Sequence, residues 1–258
     1  MLPNATIDKL KEMRFYGMLS GLKEQEEVAE YRKLSFEDRL AFLVDREWSE
    51  RKERRLNNLV RKAGFKEQST LNTINFSEER GLDRRQILYL GECEWIRNHL
   101  NVIIEGATGT GKTYLSCALG HAACRHGYSV RYFRMSAFKR EIGAHRLDGT
   151  IDRYFTALRK VNLIIFDDWL LEGLDLVATR DILEVTDDKY NKGSLIISTQ
   201  LPVSEWHGRF GDPTLADAIM DRVVHNAYRL KLKGGSRREK KKNLTQNFIQ
   251  IDHHGNMK

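Results

Sequence analysis

Proline and cysteine are scarce in this chain, with three of each among 258 residues. Cys93, Cys117 and Cys124 are odd in number and form no C-x-x-C pair, which excludes the usual thiolate zinc sites. Cys117 and Cys124 lie seven apart on an expected helix, where packed thiols are the natural reading. So little proline, beside 41% hydrophobic and 31% charged residues, leaves no large segment whose composition demands a solvated coil. No run approaches the roughly 18 uninterrupted apolar residues of a spanning helix. The opening Met-Leu-Pro-Asn-Ala-Thr has no basic region followed by an apolar stretch. No membrane partner and a cytoplasmic location are therefore expected. Internal repeats are absent, and the basic tail is the one low-complexity tract.

Positive charge is present in excess and is concentrated. The formal net charge is +7, yet Arg46 to Lys66 contributes +5 and Lys231 to Lys242 contributes +6, leaving −4 for everything else. Two basic stretches on a mildly acidic body are the electrostatic footprint of a polyanion partner, most simply nucleic acid; double-stranded DNA is the expected partner.

The length suits a core domain with a smaller appendage. The first ~95 residues are poor in glycine and rich in Glu, Lys, Arg and Leu, which predicts helices. Ser35-Phe-Glu-Asp38 has the form of a capping box, and Leu40, Leu43, Val44 and Trp48 follow at helical spacing. Further on, Arg51, Arg54, Arg55, Asn58, Lys62 and Lys66 share one side of a helix, opposite Leu56, Leu59, Val60 and Ala63. That face reads either as a nucleic-acid contact, through Arg51, Arg54, Arg55 and Lys62, or as a solvated surface laced with Glu–Arg pairs. After Leu100 the texture changes. Five β-rich runs, Val102 to Glu105, Val130 to Phe133, Leu163 to Phe166, Leu195 to Ser198 and Tyr228 to Leu232, alternate with helical stretches such as Lys112 to His126 and Leu174 to Tyr190. The expected fold is α/β: a five-stranded parallel sheet flanked by helices, preceded by a small all-helical domain. The expected domains are 1–75, 76–245 and a tail at 246–258.

Gly106-Ala-Thr-Gly-Thr-Gly-Lys-Thr113 matches G-x-x-x-x-G-K-[ST] between a predicted strand and a predicted helix. Backbone amides must curl around phosphates there, which a Cβ at Gly106, Gly109 or Gly111 would obstruct. The helix start adds partial positive charge. The predicted nucleotide contacts are Gly106, Ala107, Thr108, Gly109, Thr110, Gly111, Lys112, Thr113 and Tyr114. Lys112 is assigned to the β- and γ-phosphates of ATP and the Thr113 hydroxyl to Mg2+. The dinucleotide fingerprint G-x-G-x-x-G fails, because Tyr114 stands at its third glycine. Asn162-Leu-Ile-Ile-Phe-Asp-Asp168 ends a hydrophobic run in two carboxylates. Asp167 is assigned to the metal shell and Asp168 to polarising the attacking water. Ser194 to Gln200 ends a further strand in polar residues, making Thr199 and Gln200 candidates for sensing the γ-phosphate. A strand run between the loop and the acidic strand suits the P-loop branch with an added central strand.

These pieces together resemble the IstB-like ATP-binding proteins, helper ATPases of a class of bacterial insertion sequences, within the AAA+ superfamily and close to the DnaC-type helicase loaders. The resemblance rests on Leu34-Ser-Phe-Glu-Asp-Arg-Leu40, Arg54-Arg55, Gly81-Leu-Asp-Arg84, the phosphate loop, Phe166-Asp-Asp168, Ser198-Thr-Gln-Leu-Pro202, Glu205-Trp206, Phe210-Gly-Asp-Pro213, Asp221-Arg222 and Gly235-Ser-Arg-Arg238. It implies that Gln200 takes the sensor-1 place, that Arg222 is an arginine finger entering a neighbouring subunit's ATP site, and that Arg238 is the sensor-2 arginine. It also implies a homo-oligomer sharing ATP sites and a transposase partner, or a replicative helicase as the alternative. A third possibility is an ATP-clamped structural module with little turnover. Two departures stand out. Asp168 is one methylene shorter than the usual Glu, and Gln200 is longer than the usual Asn; both imply turnover that is slow or depends on a partner.

Overall fold

The structure, a computed structural model, describes residues 4–76 and 81–235. Contacts divide the chain into two compact units after Asn58.

The first unit is helical. It contains α1 (Asn4–Glu12), α2 (Tyr16–Glu27) and most of α3 (Phe36–Ala63). α3 starts where the capping box predicts: the Ser35 hydroxyl accepts the Asp38 N–H at 3.1 Å and donates to the Asp38 carboxylate at 2.8 Å. It packs on α2 through Leu43 and Glu47, both buried. Gly17 of α2 lies so close that a Cβ would meet the Glu47 Cα at 2.7 Å. The Glu47 carboxylate accepts the Gly17 and Met18 N–H groups at 2.7 and 3.2 Å, at the start of α2. There it satisfies amides that have no partner within the helix. Leu40, Val44 and Trp48, which share the helical spacing of Leu43, are exposed instead. α3 ends at Gly64, whose φ of 69° closes a helix C-terminus. Lys66, expected on the basic face of this helix, therefore lies beyond it.

The second unit is built on one sheet. Its strands are β1 (Asn101–Gly106), β2 (Val130–Arg134), β3 (Leu163–Asp167), β4 (Ser194–Thr199) and β5 (Ala227–Leu232). All neighbours are parallel, in the order β2-β3-β4-β1-β5. β3 and β4 are buried along their whole length, which explains their near-continuous apolar sequences. All five predicted strands and both named helices are present, the helices as α6 (Lys112–Arg125) and α9 (Leu176–Lys189). β4 stands between β1 and β3, so it is the added central strand.

α4 (Arg84–Gly91) and the short α5 (Glu94–Arg97) precede β1. Asp83 caps α4 by accepting the Arg85 N–H at 2.8 Å. α7 (Met135–Leu147), α8 (Ile151–Arg159), α9 and α10 (Pro213–Val224) bury Phe133, Phe138, Phe166, Trp169, Trp206 and Phe210 against the sheet. The Phe210-Gly-Asp-Pro213 motif has a structural reason. Asp212 caps α10 by accepting the Leu215 N–H at 2.9 Å, and Pro213 takes the first helical turn. A Cβ on Gly211 would meet the Asp175–Leu176 backbone at 2.5 Å. The three cysteines are free and buried, as packed thiols.

Candidate functional site

The phosphate loop joins the end of β1 to the start of α6. Gly109 and Gly111 have φ of 83° and 97°, the left-handed region that a side chain strains to reach. Gly106 is needed for closeness: a Cβ there would meet the Leu232 carbonyl and the Thr110 hydroxyl, both at 2.9 Å. The cradle exists only while these positions lack side chains. Lys112 is buried, and its Nζ donates to the Gly106 and Ala107 carbonyls at 2.7 and 2.9 Å, folded over the loop it is expected to serve. Thr110 is buried and donates to the Ala107 carbonyl at 2.8 Å, tightening the turn. Thr108 is exposed and donates to the Gln200 Oε1 at 2.7 Å, so the residue that follows β4 stands against the loop.

Tyr114 turns elsewhere. Its hydroxyl shares a hydrogen bond with Thr73, and its carbonyl accepts from Ser69 at 2.9 Å, tying the segment before α4 to α6. Thr199 is also engaged away from the loop. It is fully buried, donates to the Trp169 carbonyl at 3.2 Å and accepts the Leu201 N–H at 3.1 Å.

The two carboxylates after β3 have different surroundings. Asp167 is buried, and its Oδ2 accepts both the Thr113 hydroxyl at 2.7 Å and the Tyr132 hydroxyl at 2.7 Å. Its Oδ1 is buried without a hydrogen-bond partner. An orphan anionic oxygen next to a threonine hydroxyl, at the mouth of a phosphate cradle, fits a hard divalent cation completed by phosphate and water oxygens. Among the described residues no group of three or more His, Cys, Asp or Glu side chains offers an all-protein metal cage. Asp168 has φ of 56°, a conformation that aspartate tolerates better than most residues. Its carboxylate accepts from the Arg134 Nε at 2.6 Å, and this pair raises the arginine's already high pKa.

β2 thus grips both acids, through Tyr132 and Arg134. Burial, together with the adjacent Asp167 charge, pushes the Tyr132 phenol far above its ordinary pKa, so it stays a donor. Sequence reasoning passed over these two residues. They alternate on one strand, and their relation to the acids follows from the pairing of Tyr132 with Ile165 and of Arg134 with Asp167.

Arg222 lies at the other end of the sheet. Its backbone carbonyl accepts from Asn101, the first residue of β1, at 3.1 Å. At roughly 3.3 Å per residue, the strand carries the loop some 16 Å away. The Arg222 guanidinium pairs with Asp187 and donates to the Ala218 carbonyl at 2.7 Å. Arg238 and the basic run 237–242 lie outside the described residues. In the helical unit, Arg51 and Arg54 both reach Glu47, at 2.5 and 3.5 Å, so the Glu–Arg pairing of a solvated face is present. Arg55 and Lys62 are exposed.

Residues 8–245 match the model of the IstB-like ATP-binding protein family. The chain belongs to that family. It is 43% identical over 238 residues to an insertion-sequence ATP-binding protein of Sinorhizobium fredii, covering 92% of this chain and 97% of that one. It is 39% identical over 205 residues to the corresponding protein of insertion sequence IS1162 from Pseudomonas fluorescens, covering 79% and 89%. In structure it is similar to AMPPCP-bound DnaA from Aquifex aeolicus, with a TM-score of 0.56 at 20% identity, over 71% of this chain and 56% of that one. It is likewise similar to DnaI, with a TM-score of 0.55 at 16% identity, over 70% and 93%. These likenesses show the fold, an α/β core with a parallel sheet flanked by helices. Among the described residues of this IstB-like chain, no helix is long and apolar enough to cross a membrane.

Proposed function

We propose that this IstB-like protein is a DNA-binding AAA+ ATPase that oligomerises and assists a transposase in target selection or strand transfer. The observation that carries the ATPase reading is the orphan Oδ1 of Asp167 beside Thr113 and the phosphate cradle, with Asp168 next in sequence. In this reading the loop amides and Lys112 hold the ATP phosphates. Thr113 and Asp167 would hold Mg2+, which would supply positive charge beside the phosphoryl group. Tyr132 fixes the orientation of Asp167. Asp168 accepts the proton of the attacking water, and Gln200, tethered to Thr108, orients the γ-phosphate. Arg222 cannot reach the loop of its own chain across the length of β1, which supports delivery to a neighbour, where a guanidinium stabilises the transition state. Arg238 is assigned the sensor-2 role on the same reading.

While Arg134 neutralises Asp168, the water is poorly activated, so basal turnover is slow and a partner that draws Arg134 away speeds it. The DNA and transposase assignments rest on the concentrated basic stretches and on family membership. Insertion-sequence ATP-binding proteins are among its relatives at 43% and 39% identity. The test measures ATP turnover and duplex-DNA binding by the full chain, with Asp168→Asn as control. We expect DNA binding that requires ATP and turnover that rises with DNA. Equal inactivity of wild type and Asp168→Asn under every condition would overturn the enzyme reading, and nucleotide-independent DNA binding would overturn the coupling.

A further inference from the structure

We propose that Thr199 is a positioning residue for ATP turnover, its buried hydroxyl holding the turn that carries Asp168 and joining it to the segment that carries Gln200. This role rests on the ATPase reading above, and Thr199 serves it through its neighbours. The turn runs from Asp168 to Leu171 and is closed by the Leu171 N–H on the Asp168 carbonyl at 3.3 Å. Leu170, its third residue, has φ of 52°, and Asp168 has φ of 56°. A positive φ at the third position of a turn, without one at the second, is the type II form, which favours Gly or Asn there. A leucine reaches it only under strain, and such strain persists only where the surroundings fix the backbone more than once over.

β4 supplies that fixing. Two peptide groups lie between Asp168 and Leu170, and each is pinned by one bond. The Trp169 N–H, in the first, donates to the Ser198 carbonyl at 2.9 Å. The Trp169 carbonyl, in the second, accepts from the Thr199 hydroxyl at 3.2 Å. Without that hydroxyl the second peptide is free to rotate and return Leu170 to negative φ, loosening the turn from which the Asp168 carboxylate projects. The Trp169 ring cannot follow, since it packs between Phe166 and Trp206 with centroids 5.5 and 5.8 Å away. Trp169 and Thr199 are both fully buried, so a carbonyl that lost this donor would be left without solvent. The same hydroxyl also faces the other way. It accepts the Leu201 N–H at 3.1 Å, and its one proton lies between the carbonyls of Trp169 and Leu201, the latter at 3.3 Å. Gln200 stands between Thr199 and Leu201 and accepts from Thr108 of the phosphate loop at 2.7 Å. A displacement of Gln200 by the γ-phosphate therefore bears on the bond that holds the acid's turn.

The test uses the full chain. Thr199→Val keeps the shape and removes the hydroxyl, Thr199→Ser keeps the hydroxyl, and Thr199→Ala stands in should the valine variant fail to fold. Two quantities are read: amide hydrogen exchange at Trp169 and Leu201 by NMR without nucleotide, and kcat and KM for ATP. For Thr199→Val we expect Trp169 to exchange at least about tenfold faster. We expect kcat to fall at least about tenfold while KM stays within about twofold, as for a misplaced group that binding does not use. Thr199→Ser should keep both quantities within about threefold of wild type. Faster exchange confined to Leu201 would make Thr199 a support for the end of β4 alone and overturn the role. An unchanged kcat, or a serine variant as impaired as the valine one, would overturn it equally. Absence of turnover in the wild type would sink the ATPase reading instead, and exchange at Trp169 would still decide whether the hydroxyl holds the turn.

Discussion

At the scale of single residues, the phosphate loop and its acids were written in the sequence, because each local requirement selects a residue type. Curling amides require Gly109 and Gly111, and an anion needs Lys112. Replacing Lys112 by Ala removes a charge-assisted contact of about 2 kcal/mol or more, so nucleotide affinity is expected to fall at least ~30-fold by fluorescence titration. Retained affinity would remove the loop from the binding site. Tyr132 and Arg134 were not legible, since nothing local marks a tyrosine or arginine as the partner of an acid over thirty residues away. Tyr132→Phe keeps the ring and deletes the hydrogen bond to Asp167. Outer-shell losses of this kind cost about 10–100-fold in metal affinity. The Mg2+ needed for half-maximal nucleotide binding is therefore expected to rise ~10-fold, with binding in excess chelator unchanged. An unchanged requirement would reduce Tyr132 to a packing residue.

At the scale of elements, the strands were legible from their apolar runs and the start of α3 from its capping box, because both signals are local. The order β2-β3-β4-β1-β5 was not, since parallel pairing joins residues far apart in sequence. The outward turn of Leu40, Val44 and Trp48 escaped for a related reason. Leu43 shares their periodicity, and only the close approach at Gly17 shows which side of α3 meets α2. Burial opposes ionisation of Glu47, but the hydrogen bonds from Arg51, Met18 and Gly17 outweigh it and hold the carboxyl below its usual range. A depressed folded pKa gives stability that is present above the unfolded value of 4.5 and lost as pH falls through the folded one. The α2–α3 pair is thus expected to unfold in acid below about pH 4.5. Glu47→Gln should flatten that profile in circular dichroism; an unchanged acid midpoint would assign the acid transition to other groups.

At the scale of the whole molecule, charge clustering was legible from composition alone, whereas its use depends on what each side chain already touches. Arg51 and Arg54 are engaged with Glu47, while Arg55 and Lys62 are exposed. If the latter two contact phosphates, each alanine substitution should reduce the slope of log affinity against log salt by about 0.9 for duplex DNA. A slope that does not move would place the DNA contact elsewhere. Arg222→Ala is expected to bind ATP yet lose turnover by ~10³-fold or more, and mixing it with Asp168→Asn chains should restore part of the activity. No recovery would argue against a finger acting between copies. If Arg222 serves a neighbour's loop, its separation from its own loop by the length of β1 gives the chain a head and a tail. Copies joined head to tail form a ring if the rotation closes and an open row if it does not. In an open row one terminal copy always lacks a donor, so the fraction of complete sites grows with length and reaches unity only on closure. Activity per subunit would then report how long the row is, and a small share of Arg222→Ala chains would act as breaks in it.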